Sequence, residues 1–131
     1  MKTMFNLLCR DIAMQMQFYG TLLNLAEIVE LRSPIYRALA IEDTIIGFNG
    51  EAAYELLAIQ NRQPNANAEV PVAAYTTFIL DNPTEVDKVS SQAAELGGGI
   101  VKPPYRTYYG HWQAVLLDPE HHIFRVSALL L

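Results

Sequence analysis

The stretch Gln113-Ala-Val-Leu-Leu-Asp-Pro-Glu-His-His-Ile-Phe-Arg-Val126 reads as two short strands joined by a tight turn. Residues 112–117 and 123–127 are rich in apolar and β-branched side chains, which favour an extended chain. Between them, Asp118-Pro119-Glu120-His121 is typical of a turn. The stretch therefore predicts a β-hairpin that closes a sheet near the end of the chain.

The second half of the chain is predicted to run strand, helix and three strands. Its segments are a strand at 72–80, a helix at about 85–96, a strand that begins at 100–102, and the two hairpin strands. Asp81-Asn-Pro-Thr-Glu85 is typical of a helix start, and Gly97-Gly-Gly99 is typical of a helix end. Pro103-Pro104 is expected to interrupt the strand that follows.

The first half of the chain shows the same order. Its predicted segments are a strand at 3–9, a helix at 12–23, strands at 26–32, 35–41 and 44–48, and a helical turn at 50–57. Asp11 is the expected N-cap of the helix. The sequence thus predicts an α+β fold of two tandem βαβββ modules. Module 1 spans about 1–59, a polar linker about 60–70, and module 2 about 71–131.

Composition narrows the class of protein. At 131 residues with 51% hydrophobic side chains, the chain is long enough for one globular domain. The net charge is −5 and the nine basic residues are scattered, so we expect no nucleic-acid partner. No apolar run is long enough for a membrane span or a signal sequence, and we expect a soluble, cytoplasmic protein. Cys9, the single cysteine, is expected to be a buried thiol.

The repeated order resembles the vicinal oxygen chelate superfamily, which includes glyoxalase I, bleomycin-resistance proteins, fosfomycin-resistance proteins and extradiol dioxygenases. Two segments carry the resemblance, Arg10-Asp-Ile-Ala-Met-Gln-Met-Gln-Phe-Tyr-Gly-Thr-Leu-Leu23 and Ala114-Val-Leu-Leu-Asp-Pro-Glu-His-His-Ile-Phe-Arg125. The glyoxalase and bleomycin-resistance branch is also similar around residues 47–57 and 102–110. The resemblance implies curved mixed sheets around a cleft, and it implies a homodimer.

In the enzymes of this superfamily a divalent metal is held by His, Glu or similar side chains on the first and last strand of each module. Carried over, these positions fall near Met4, Gly47, Tyr75 and Arg125. A thioether, a missing side chain and a permanent cation do not suit a hard divalent ion, and the neighbouring positions offer no His or carboxylate. We therefore expect no metal cofactor. A divalent metal is expected only if the site has moved.

Three histidines are the remaining candidates for chemistry. His121 and His122 are interpreted as solvated turn residues, because neighbouring strand residues point to opposite faces and do not converge on one ion. His111 could act as a general base, but the sequence shows no carboxylate to orient it. A ligand-contacting or exposed role is the alternative.

Arg125 and a group of aromatic residues are the preferred ligand-binding candidates. If Phe124 and Val126 pack under the helix, alternation turns Arg125 to the opposite face, where it could anchor an anion. The alternative is an internal ion pair with Glu27, Glu30 or Glu55. Rings with polar tips between residues 105 and 112 suit a pocket for a flat or amphipathic molecule, or else a dimer interface. The predicted ligand-binding residues are Tyr75, Arg106, Tyr108, Tyr109, His111, Trp112 and Arg125.

Three functions follow from these patterns. The first is a metal-independent protein that sequesters or senses an amphipathic or aromatic small molecule. The second is a metal-dependent glyoxalase-like lyase, isomerase or dioxygenase with a relocated site at His111, His122 and Glu55. The third is a protein whose apolar end, residues 126–131, and aromatic surface serve mainly a partner subunit. The first is preferred because all four inferred metal positions lack suitable ligands.

Overall fold

A computed structural model describes residues 1–131, which form two compact units, Met1–Ala68 and Glu69–Leu131. The division lies within the segment predicted as a linker. Residues 60–62 form a 3-10 turn, and the Arg10 guanidinium donates a hydrogen bond to the Asn65 carbonyl at 3.3 Å. The linker segment is thereby attached to unit 1. None of the helices is long and apolar enough to cross a bilayer.

Unit 1 contains a mixed three-stranded sheet with one helix packed on it. Its elements are β1 (Met4–Leu8), α1 (Ile12–Leu23), β2 (Tyr36–Ile41), β3 (Thr44–Asn49) and α2 (Ala52–Leu56). The strand order is β1-β3-β2, with β1 parallel to β3. As predicted, Asp11 caps α1, accepting a hydrogen bond from the Met14 amide at 3.0 Å. The helix buries Tyr19 against Phe48 of β3, with ring centroids 5.5 Å apart.

The strand predicted at residues 26–32 is wrong. This segment forms an isolated bridge between Glu27 and Leu39, followed by a 3-10 turn at Val29–Leu31. Glu27 accepts a hydrogen bond from Arg32, five residues later. Five residues of extended chain would span about 17 Å, so this contact requires the chain to turn back. The local ion pair is therefore incompatible with the extended strand that the apolar pattern favours.

Unit 2 has the predicted order of strand, helix and three strands. Its elements are β4 (Thr76–Ile79), α3 (Pro83–Glu95), β5 (Gly99–Arg106), β6 (His111–Leu117) and β7 (Ile123–Leu129). The sheet order is β4-β7-β6-β5, with β4 parallel to β7. In both units the first strand thus lies parallel to the last. The α+β class is confirmed, with two mixed sheets.

Two predictions within unit 2 need correction. The strand expected at residues 72–80 is only Thr76–Ile79. The strand that begins near residue 100 is not ended by Pro103-Pro104, because β5 continues to Arg106 with two register shifts against β6. β5 is an edge strand, and proline is tolerated on an edge because the missing amides are not all needed for the ladder.

The core of unit 2 lies between α3 and one face of the sheet. Phe124, Val126 and Ala128 of β7 are buried, as are Val86 and Ala93 of α3. Trp112, paired directly with Ala128, donates from its indole nitrogen to the Asp87 carboxylate of α3 at 2.7 Å. The even-numbered residues of β6 and β7 therefore face the helix, and the odd-numbered residues face away from it.

Candidate functional site

The face of the unit 2 sheet turned away from α3 carries most of this unit's polar strand residues. We call it the polar face of unit 2, and its residues are Tyr75, Thr77, Lys102, Tyr105, Tyr109, His111, Gln113, Arg125 and Ser127. The prediction that Arg125 lies opposite Phe124 and Val126 is confirmed by this arrangement. The β7 alternation thus places a cation among hydroxyl, amide and imidazole groups.

Gln113 holds two tyrosines in place on this face. Its side chain is almost completely buried. Its Oε1 accepts a hydrogen bond from the Tyr109 hydroxyl at 2.6 Å, and its Nε2 donates to the Tyr105 hydroxyl at 2.7 Å. A buried amide with both ends satisfied is costly to disturb, because moving either ring would leave a polar atom without a partner. Both phenol groups are consequently fixed in position.

His111 is oriented by a hydroxyl group. Its Nδ1 lies 2.8 Å from Ser127 Oγ, and the Tyr109 ring packs against the imidazole with centroids 5.2 Å apart. A carboxylate would stabilise the imidazolium that forms when a histidine takes up a proton, whereas a neutral hydroxyl does so much less. This geometry suits a hydrogen bond to a ligand better than general-base catalysis.

Arg125 is held at one edge only. Its Nε donates to Thr77 Oγ1 at 3.0 Å, and its guanidinium carbon lies 4.8 Å from the centroid of the Tyr75 ring. No carboxylate of unit 2 forms an ion pair with it. Of the alternative partners inferred from the sequence, Glu27 instead pairs with Arg32 and Arg37 inside unit 1.

The other predicted ligand-binding residues lie elsewhere in unit 2. Trp112 faces α3, and its register partner Arg106 lies on that same side of the sheet. Tyr108 is fully exposed in the turn before β6, where its ring meets Tyr109 edge-on with centroids 5.0 Å apart. The structure therefore brings Tyr75, Tyr109, His111 and Arg125 to the polar face of unit 2, but not the other three predicted residues.

The inferred metal positions contain the wrong chemical groups. On the last strands, Gly47 is paired with Asn6 and Arg125 with Thr77. The first-strand residues that lie beside Gly47 and Arg125 are therefore Asn6 and Thr77. The positions inferred from the sequence, Met4 and Tyr75, are each two residues too early. An amide, a hydroxyl and a cation do not make the His and carboxylate set that a catalytic divalent ion needs. No group of three His, Cys, Asp or Glu side chains is arranged to bind a metal ion.

Tyr36 fills the space beside Gly47. A Cβ atom added at Gly47 would lie 2.5 Å from the Tyr36 hydroxyl oxygen and 2.5 Å from Asn6 Oδ1. The Tyr36 hydroxyl is buried without a hydrogen-bond partner, and burial raises its pKa above the ordinary value. A metal-binding side chain at position 47 would have to displace this ring. The residues present therefore do not fit a divalent metal.

The relocated metal site expected at His111, His122 and Glu55 is also contradicted, because its two histidines do not meet. The two residues flank opposite ends of the β6–β7 hairpin, and the length of β6 separates them by about 20 Å. The prediction that His122 is solvated is wrong as well. Its Nδ1 lies 2.9 Å from Oδ2 of the fully buried Asp118. His121 is exposed with a positive φ of 69°, as expected for a turn.

Five residues of the polar face of unit 2 were not among the predicted ligand-binding residues, and one of them, Tyr105, was noted only as part of the aromatic segment 105–112. Thr77 and Ser127 are small polar residues in apolar strands, and Gln113 and Lys102 have no motif around them. Period-two alternation from Arg125 and His111 would have identified Ser127 and Gln113. The partner of Arg125, Thr77, required the parallel register between two strands far apart in sequence, which no local pattern specifies.

Comparison with known proteins identifies the class. Residues 3–126 match the family model for the glyoxalase/bleomycin resistance protein/dioxygenase superfamily. The chain belongs to this superfamily, as its resemblance implied. A comparison with curated proteins gave no significant match.

Solved structures agree with this class. The chain is 36% identical to a glyoxalase/bleomycin resistance protein/dioxygenase family enzyme from Burkholderia phytofirmans PsJN, with 97% of each chain covered and a TM-score of 0.90. A glyoxalase-related enzyme from Fulvimarina pelagi is 17% identical, with 98% of this chain and 87% of that chain covered and a TM-score of 0.81. A lactoylglutathione lyase from Agrobacterium tumefaciens is 16% identical, with 98% and 92% covered and a TM-score of 0.69. The last two show a shared fold.

Proposed function

We propose that this chain is a metal-independent small-molecule binding protein of its superfamily, which sequesters or senses an amphipathic or aromatic ligand. The observation that carries the proposal is the pair of register partners on the first and last strands. Asn6 lies beside Gly47, and Thr77 lies beside Arg125. Neither pair supplies a His or a carboxylate, and Tyr36 fills the space beside Gly47.

The polar face of unit 2 supports binding over catalysis. The phenol groups of Tyr105 and Tyr109 are fixed by Gln113, and the imidazole of His111 is oriented by Ser127. No carboxylate is present there to serve as an acid or base. Rigid aromatic side chains with a few fixed polar groups are typical of sites that hold small molecules. The binding residues we propose are therefore Tyr75, Tyr109, His111 and Arg125.

A metal-dependent lyase, isomerase or dioxygenase is the second candidate function. Its support is the description of the Burkholderia phytofirmans relative as an enzyme. In this chain such an activity would need metal ligands other than the inferred four positions and other than His111 with His122.

Metal binding decides between the two candidates. We would measure the metal content of untagged protein purified without chelator, and then titrate it with nickel, zinc and manganese by calorimetry. The same metals titrated into nitrilotriacetate provide the positive control for the assay. We expect no stoichiometric binding. One equivalent of tightly bound metal would overturn the metal-independent function and favour the enzyme.

We further propose that the protein acts in the cytoplasm as a homodimer. The superfamily resemblance motivates the dimer, and the exposed side chains of Leu129 and Leu131 at the end of β7 offer apolar surface for it. Light scattering coupled to size exclusion should give twice the mass of one chain. A single monomeric species would contradict the dimer and leave the binding function untouched.

A further inference from the structure

We propose that the ligand is an aryl carboxylate, with its carboxylate on Arg125 and its flat apolar body on the neighbouring sheet surface. This inference rests on the proposed binding function and specifies its ligand class. It is carried by three independent features of unit 2: the distribution of charge, the open edge of the guanidinium, and the apolar residues beside it.

The acidic residues of unit 2 lie away from its polar face. The polar face carries the cations Arg125 and Lys102 and no Asp or Glu. The acidic residues of this unit lie in the linker, on or just before α3, or in the hairpin turn, and they are Glu69, Asp81, Glu85, Asp87, Glu95, Asp118 and Glu120. A protein with a net charge of −5 thus keeps one face free of negative charge. Such a face attracts an anion.

The geometry of Arg125 indicates what kind of anion fits. The Nε–H of Arg125 donates to the Thr77 hydroxyl, and the Tyr75 ring packs against the guanidinium. Within unit 2, the two terminal nitrogens have no protein hydrogen bond. A fixed planar fork with both terminal nitrogens open matches the two coplanar oxygens of a carboxylate.

A ligand with one negative charge matches this site, because Arg125 is the only cation within contact distance of the place where the ligand would bind. Lys102 lies in the same row of the sheet as Arg125, but on β5, two strands away, or about 10 Å. Its ammonium group lies 3.7 Å from the centroid of the Tyr105 ring. One guanidinium neutralises a monoanion, whereas a phosphate dianion would keep one negative charge that no second cation in contact distance of Arg125 offsets.

Apolar side chains next to Arg125 define the rest of the ligand. Val115 is the direct register partner of Arg125 on β6, and Ile79 lies two residues after Thr77 on the same face of β4. Ile79 and Tyr75 are both exposed. A flat hydrocarbon ring joined to the carboxylate would cover this apolar surface, which a small carboxylate such as acetate would leave exposed.

The test compares three probes on the wild-type chain. Benzoate, benzamide and acetate are titrated into uniformly ¹⁵N-labelled protein, and amide shifts give both the affinity and the location. Benzoate and benzamide have the same shape and differ in charge. The ratio of their dissociation constants therefore measures the contribution of the ion pair without any mutation. We expect benzoate to bind about tenfold or more tightly than benzamide, with the largest shifts at Thr77 and Arg125. Acetate should bind more weakly than benzoate.

Two variants and a control locate the site. Arg125→Gln should weaken benzoate binding about tenfold or more, and Thr77→Val should weaken it by a smaller factor because the guanidinium loses its positioning. Lys88→Gln removes the same charge from an exposed site on α3 and should leave the affinity within about twofold. Thermal unfolding of each variant verifies the fold.

Distinct outcomes overturn the two proposals. Equal affinity for benzoate and benzamide, unchanged affinity in Arg125→Gln, or equal loss in Lys88→Gln would each overturn the carboxylate site. Binding of benzamide and other neutral aromatic compounds at the polar face would then leave the metal-independent binding function in place. Stoichiometric metal binding would overturn that function. The ratio of the benzoate and benzamide dissociation constants would still show whether Arg125 binds a carboxylate.

Discussion

Arg125 on β7 and Thr77 on β4 are direct partners in a parallel strand pair, and the arginine Nε donates to the threonine hydroxyl at 3.0 Å. The two residues are 48 positions apart in the chain. Their hydrogen bond fixes the direction of the guanidinium plane. The parallel pairing of the first and last strands of unit 2 thus positions the one cation that the proposed ligand would contact.

Removing the Thr77 hydroxyl should cost stability as well as positioning. Thr77→Val keeps the shape and the β-branched side chain but leaves Arg125 Nε without its acceptor, and we expect a loss of about 0.5 to 1.5 kcal/mol in the free energy of unfolding. Denaturant unfolding measures this loss. Thr77→Ser, which keeps the hydroxyl, should lose less. If serine and valine were equally destabilising, the hydrogen bond would not be the cause.

The space beside Gly47 is already filled, so Gly47→Ala should be strongly unfavourable. The new Cβ would meet the Tyr36 hydroxyl and Asn6 Oδ1, both at 2.5 Å. We expect a loss of about 1 to 3 kcal/mol in the free energy of unfolding. Gly99→Ala is the matched control, because its Cβ would meet only Leu117 at 3.6 Å or more. Adding Tyr36→Ala to Gly47→Ala should reduce the penalty, and a strictly additive double variant would contradict the clash.

The Glu27 ion pairs should make the protein sensitive to acid. Hydrogen bonds from Arg32 and then Arg37 lower the pKa of Glu27 below its ordinary value near 4.5. The resulting stability is complete above that value and is lost as the pH falls through the lower folded-state pKa. Glu27→Gln should therefore flatten the dependence of the melting temperature on pH as the pH falls below the ordinary carboxyl pKa of about 4.5.

Glu30→Gln provides the comparison for Glu27. Glu30 is an exposed carboxylate on the adjacent 3-10 turn and makes no ion pair. Its replacement removes the same charge and should leave the acid dependence almost unchanged. Equal flattening by both substitutions would show a general charge effect and not the ion pairs of Glu27.

Asp118 should be essential to the hairpin between β6 and β7. Its fully buried carboxylate accepts hydrogen bonds from the Glu120 and His122 amides at 2.9 and 3.0 Å and lies 2.9 Å from His122 Nδ1. Asp118→Asn keeps one oxygen but loses the charge beside His122, and we expect a loss of about 3 kcal/mol in the free energy of unfolding. His121→Asn should change it by less than about 0.5 kcal/mol, since asparagine tolerates positive φ. A comparable loss in both variants would refute the role of the buried pair.

Much of the fold could be predicted from local patterns. The Asp11 cap and the apolar spacing that follows it specify α1, and alternation along β7 puts Arg125 opposite Phe124. Such features depend on residues that lie close together in the sequence. The segment at 26–32 was mispredicted because its apolar composition does not show that the chain turns back at Val29–Leu31 and brings Arg32 to Glu27.

The candidate site was less predictable than the fold. Tyr75, Tyr109 and His111 were predicted from aromatic composition and spacing. Trp112 was included as part of the same aromatic segment, although alternation along β6 puts it opposite His111, on the side of Asp87 of α3. The positions of Thr77 beside Arg125 and of Asn6 beside Gly47 follow from the parallel pairing of two strands in each sheet. Register between distant strands is set by tertiary packing, so it is the information that a single sequence carries least directly.

Pro103 and Pro104 have a consequence for how copies of this protein meet. They lie in succession on the edge strand β5, within a register shift against β6. Two consecutive prolines leave two positions of this edge strand without an N–H donor, beside a local irregularity of the ladder. An incoming strand therefore finds an incomplete row of donors at this edge, and strand-by-strand aggregation through β5 is disfavoured.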